Sequence, residues 1–250
     1  MRQTPELKPR LVVLDRDDEI QARRDNPELL ADKDTTVVPL PLRHPYSGLE
    51  ELQRLGPALR EGAVFVRNPF DQNHYTEVSD AYASIAKAKF YAFSRVCQLL
   101  GAVRLEVLEL RELSETGERA ASVKMSAGSV SGGLTKGAKQ LKEVAEKLFG
   151  SWTWETGEPD QELAEQMAMK SGLHTDITVN SLLEQRRYRT NPLKSHELLL
   201  DISSEAQKEI TFAADLNALL GGFIKPKFEA KMNSLKGQMH NLQLELSVDF

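Results

Sequence analysis

The chain has 250 residues, of which 40% are hydrophobic and 28% charged, and its formal net charge is −5. This is enough apolar material to bury one large core or two small ones. The acidic balance excludes a protein-wide positive field that draws in nucleic acid or an anionic membrane surface.

No apolar run is long enough for a signal-peptide core or a membrane span, and the single Cys97 has no partner for an internal disulfide. Together these predict a cytoplasmic protein in a reducing compartment. Cys97 falls among apolar neighbours on a helical pattern and reads as a small buried hydrophobe.

Residues 11–67 read as an α/β segment. "LVVLD" is a buried strand, "PELLAD" a short helix and "TTVVPLPL" a second strand. Pro39 and Pro41 hold that second strand to a sheet edge, because proline has no N–H to donate to a ladder. A helix over "GLEELQRLGPALR", interrupted at Gly56-Pro57, and the strand "AVFV" complete the segment. The stretch "RNPFDQNHYTE" reads as a loop. Tyr82, Ile85, Ala88, Ala92, Val96 and Leu99 then recur at three- and four-residue spacing, which predicts a helix over 78–100 stopped by Gly101.

Beyond Gly101 the period becomes two. Val103, Leu105 and Val107, then Ala121, Val123 and Met125, predict an antiparallel hairpin joined by "ELSETGE". Leu134, Ala138, Leu141, Ala145 and Leu148 predict a helix over 134–149, and a short helix opens at Pro159 and closes near Gly172. Four later runs alternate: Leu198 to Ile202, Ile210 to Leu216, Phe228 to Met232, and the final "LQLELSVDF". Residues 206–219 also carry a helical signal, since "SEAQ" resembles a capping box, but a helix puts Asn217 on the apolar stripe, so a strand is preferred.

The sum is an α+β fold. A largely antiparallel sheet buries one face under helices 78–100 and 134–149, within a single domain 1–250 whose α/β-like residues 1–70 can form a subdomain.

Candidate sites are short. In "LVVLDRDDEI" an apolar strand ends in Asp-x-Asp, which sets two carboxylates at a sheet's carboxyl edge, where they can share a divalent metal. This stretch resembles the first motif of haloacid-dehalogenase-type phosphohydrolases. The resemblance implies Asp15 as nucleophile and Asp17 as general acid, although Asp18-Glu19 takes the place of that family's small residue and threonine. The plain alternative is a solvated acidic turn.

"GSVSGGLTKG" lies between a strand and a helix, so Ser131, Gly132, Gly133 and Lys136 form a candidate anion cradle, against the simpler reading of a connector. Lys136, Lys139, Lys142 and Lys147 lie opposite the apolar stripe of helix 134–149, as on a helix that docks in a partner groove or lies on a membrane. A glycine-flanked amphipathic helix between strands also resembles the layout of pore-forming proteins of the perforin and gasdermin kind, with Gly128, Gly132, Gly133 and Gly137 as hinges.

"QRRYRTNPLK" gathers Arg186, Arg187, Arg189 and Lys194 around Tyr188, a patch that can contact phosphate or a nucleic-acid backbone, against the simpler reading of an acidic protein surface or solvent. His74 with Asp71 and Tyr75 is either an acid–base set or a capped turn. The remaining histidines lack metal-ligand spacing, and Trp152 and Trp154 read as core.

No catalytic set is complete, whereas amphipathic elements are abundant. The sequence therefore predicts a non-enzymatic protein that binds a protein partner or itself through sheet edges and helix 134–149. A membrane-acting effector and a magnesium-dependent phosphohydrolase built on Asp15 and Asp17 are the alternatives. No cofactor, metal or small molecule is called for, and nucleic acid is not an expected partner. On the last strand, Gln243, Glu245, Ser247 and Asp249 should face water or a polar partner. Two carboxylates there are too costly to place in lipid.

Overall fold

A computed structural model describes residues 7–25, 32–42, 49–113, 119–124, 130–131, 144, 148, 150–188, 193–219 and 241–250. They fall in two compact units, one within 1–68, 72–82 and 207–239, the other within 69–71, 83–206 and 240–250. The fold is α+β, and among the described residues no helix is long and apolar enough to cross a membrane.

The first unit is built on strand β1 (Arg10–Asp15). β2 (Thr35–Leu40) lies parallel to it and β3 (Val64–Asn68) antiparallel, with β4 (Asp71–Glu77) outermost, in the order β2-β1-β3-β4. Leu11, Val12, Val13 and Leu14 are all buried, because both faces of β1 are covered and neither can carry a polar residue. Helix α2 (Leu49–Leu55) contributes Leu52 to a core with Leu11, Val13, Val38 and Phe65. β2 is an edge strand, as Pro39 requires.

One expectation fails in this unit and one element was not foreseen. The acidic stretch after β1 opens helix α1 (Arg16–Asp25), with Asp15 and Asp17 exposed as a solvated stretch requires; Asp17, Asp18 and Glu19 sit where the helix dipole favours carboxylates. Most of "PELLAD" lies outside the described residues. The polar stretch 71–77 is a strand and not a loop, because an outermost strand can hold exposed polar side chains on its free side.

In the second unit, helix α3 (Val78–Leu99) runs from Ala83 onward and buries Ile85, Phe90, Phe93, Val96 and Cys97. It ends at Gly101, whose φ of +85° suits a residue without Cβ, and an added Cβ there would meet Pro159 Cγ at 2.9 Å. The sheet contains β5 (Arg104–Leu113), β6 (Arg119–Lys124), β7 (Val130–Ser131), β8 (Ser151–Thr153), β9 (Ser195–Asp201) and β10 (Asn241–Asp249). Its order is β7-β6-β5-β10-β9, with β8 beside β5. Phe90 packs on Trp152 of β8 at a centroid distance of 4.9 Å, which sets α3 against the sheet.

β10 behaves as its alternation predicts. Leu242, Leu244, Leu246 and Val248 are buried, and Gln243, Glu245, Ser247 and Asp249 take the other face, each half-buried.

Two more helices follow the same local logic. α4 (Gln161–Lys170) starts at Asp160, whose carboxylate accepts from Leu163 N at 2.9 Å. α5 (Ile177–Arg187), to which no element was assigned above, is capped by Asp176 through Thr178 N and Val179 N.

Residues 206–219 form part of helix α6 (Ser204–Leu219), not a strand. The buried positions are Ala206, Ile210 and Ala213, a helical spacing that the Ile210-Phe212 alternation concealed. Asp201 turns back to accept from Ser203 N and Ser204 N and so starts the helix. Of 134–149 only Val144 and Leu148 are described; both are helical and buried. The run Phe228 to Met232 lies outside the described residues.

Candidate functional site

A cleft of about 560 Å³ opens on the second unit where the start of α5 stands beside the sheet face opposite the core. Its floor is a row across three strands, in which Leu199 on β9 pairs with Glu245 on β10 and Glu245 pairs with Glu109 on β5. Cross-strand partners lie on one face of a sheet, so all three side chains point the same way.

The row exists because of a β-bulge. Glu109 pairs with Glu245 while Val107 pairs with Leu246, which leaves Leu108 as the extra residue. The bulge inverts the alternation of β5. Leu105, Val107 and Leu110 all face the core, and Glu109 and Arg111 are turned outward.

Glu109 and Glu245 would repel as a directly opposed pair. Arg111 resolves this, donating Nε to Glu109 at 2.9 Å and Nη2 to Glu245. The hydrogen bond to Glu109 leads the effects that raise the Arg111 pKa; burial opposes it and the charge and hydrogen bond of Glu245 add to it. Glu109 is 2% exposed, so this pair is screened less than a surface pair.

The wall comes from α5. Val179, Leu182 and Leu183 are buried, which leaves Ile177, Thr178 and Ser181 to line the cleft. Thr178 Oγ1 donates to the Leu199 carbonyl at 3.0 Å. Ile177 is 86% exposed and Leu199 41% exposed, so the rim carries two large apolar side chains in water.

Asp176, which caps α5, also meets Lys89 Nζ at 2.9 Å, and that ammonium lies 3.2 Å from Glu205 in the first turn of α6 and 5.5 Å from the Phe70 ring centroid. The Lys89 side chain is 2% exposed. One buried cation from α3 thus fixes where α5 begins, and with it the cleft wall.

Among the residues singled out in the sequence, Asp15 and Asp17 are joined through a local backbone bond that does not bring their carboxylates together. Asp17 N donates to Asp15 Oδ1 at 3.4 Å, both side chains are exposed, and among the described residues no group of three or more His, Cys, Asp or Glu can hold a metal ion. Ser131 pairs with Ser122 across β6 and β7, while Gly132, Gly133, Lys136, Lys139, Lys142, Lys147 and Arg189 lie outside the described residues.

Arg186 is turned inward. It donates to the carbonyls of Leu100 at 2.9 Å and Leu193 at 2.6 Å and lies 4.1 Å over the Phe250 ring, and burial lowers its pKa. Arg187 pairs with Glu165 at 2.7 Å. Neither is a free basic contact. His74 and Tyr75 are consecutive on β4 and project to opposite sides, and the Tyr75 hydroxyl donates to the Lys8 carbonyl at 2.6 Å. Burial raises the Cys97 thiol pKa far above its usual range, which suppresses the thiolate.

Sequence reasoning placed Glu245 on a polar face but missed Arg111, Ile177, Thr178 and Leu199. The signal available was the pair of leucines flanking Glu109 in "VLELREL", out of phase with Leu105 and Val107. Comparisons with protein-family models, with curated proteins and with solved structures find no match to this chain.

Proposed function

We propose that the protein is a docking module rather than a catalyst, and that the cleft between α5 and β9 takes a partner polypeptide. The observation that carries this reading is the pair Ile177 and Leu199, 86% and 41% exposed, on the rim of a cleft with a polar floor. Exposed apolar side chains beside a rigid concave surface gain free energy when a partner covers them. β9 also ends the sheet among the described residues, with its Leu199 carbonyl held by Thr178 of the cleft wall.

Catalysis has less support. Arg111 holds a fixed charge matched by two carboxylates, and His196 and Glu197 are consecutive on a strand, so they do not converge.

A photo-crosslinking amino acid at Ile177 or Leu199 of the full chain tests the reading, with Arg95, exposed on α3, as control. The expected result is one adduct shared by the first two positions and missing from the third. Equal labelling at all three, or none at any, overturns it.

A further inference from the structure

Resting on that docking reading, we propose that the segment bound in the cleft is extended and basic, with an apolar residue on Ile177 and Leu199 and a lysine or arginine two positions away, over Glu245 and Glu197.

The charge of the cleft supports this. Glu245 and Glu197 line the cleft against a single guanidinium, Arg111, which leaves the lining a formal charge of −1. Glu109 lies off the lining, bonded to Arg111 and directly opposite Lys124 on β6, so it adds nothing to that charge. Glu197 is exposed and one cross-strand row from Leu199, on the β9 side, where the accessible acid is concentrated. Electrostatic complementarity therefore selects a cation there.

The spacing supports the extended form. Side chains two residues apart on an extended chain lie on one side, roughly 6.6 Å apart. Leu199 and Glu197 stand two residues apart on one face of β9, so a segment running along the strand meets an apolar site and an acid at that same spacing. A helix places same-face residues three or four apart instead.

The same charge disfavours other occupants. A second copy bound through this face would set −1 against −1, and nucleic acid or an anionic bilayer would be repelled.

The test is fluorescence anisotropy on the full chain with a labelled nine-residue peptide centred on Leu-Thr-Lys, a version with Glu for the Lys, and a version with Ser for the Leu. We expect the Lys peptide to bind, either replacement to weaken it at least tenfold, and added salt to weaken it progressively. Glu197→Lys should cost the Lys peptide at least tenfold and let the Glu peptide bind. Glu50→Lys, an equal charge change on α2, should leave both unaffected. Matching urea midpoints show that the variants are folded. Failure of the Lys peptide to bind, equal affinity for the Lys and Glu peptides, or equal effects of the two variants overturns the proposal. If crosslinking at Ile177 and Leu199 still succeeds, only the basic chemistry is lost; if it also fails, the docking reading goes with it.

Discussion

The ammonium of Lys89 lies 2.9 Å from the carboxylate of Asp176, with the lysine side chain 2% exposed. The same carboxylate caps α5 through Thr178 N and Val179 N. One aspartate therefore starts the helix that walls the cleft and neutralises a buried cation on α3. Because Glu205 supplies a second carboxylate, loss of the lysine leaves two anions facing one another.

Lys89→Met should destabilise the protein by about 3 kcal/mol, because breaking a buried pair strands the partner charges. Removing those charges as well, in Lys89→Met with Asp176→Asn and Glu205→Gln, should recover part of the loss. Urea unfolding measures both. A loss under about 1 kcal/mol, or no recovery in the triple variant, contradicts the coupling.

Alternation along β10 predicts unequal neighbours. Leu244 is fully buried, and Leu244→Ala should cost about 2 to 5 kcal/mol through lost burial and the cavity left behind. Gln243→Ala, on the opposite face, should change stability by no more than about 0.5 kcal/mol. Equal losses in urea unfolding contradict the assignment of faces.

Asp32 gives the first unit a pH signature. Burial raises its pKa, but hydrogen bonds from Thr35 and from Asp34 N–H, with the charges of Arg10 and Lys8, outweigh burial and hold it below the usual range. A carboxylate depressed in the folded state stabilises above its unfolded pKa, and that contribution is lost as pH falls through the folded one. Asp32→Asn should therefore lower the urea midpoint at about pH 6.5 and match the wild type more closely at about pH 2.5. A gap that stays constant or widens in acid contradicts it.

Strong periodic patterns were legible in the sequence. α3, the even face of β10 and the edge position of β2 follow from spacing or from proline chemistry, which act locally. The failures are places where context decides. β4 lacks an apolar face because it is outermost, and α6 was concealed because Ile210 and Phe212 mimic a strand. The cleft was the least legible part, since it depends on register among Glu109, Leu199 and Glu245, far apart in the chain, and on one bulge at Leu108. Ile177 is visible as a residue, but its exposure follows from which side of α5 is buried.

The central claim, that a partner segment lies across β9 beside α5, is tested most directly by hydrogen exchange of the full chain with and without the saturating Lys peptide. Protection should rise over Ser195–Asp201 and the first turn of Ile177–Arg187 and stay unchanged over the other sheet's edge strand, Thr35–Leu40. Protection confined elsewhere, or no change over Ser195–Asp201, would contradict the account.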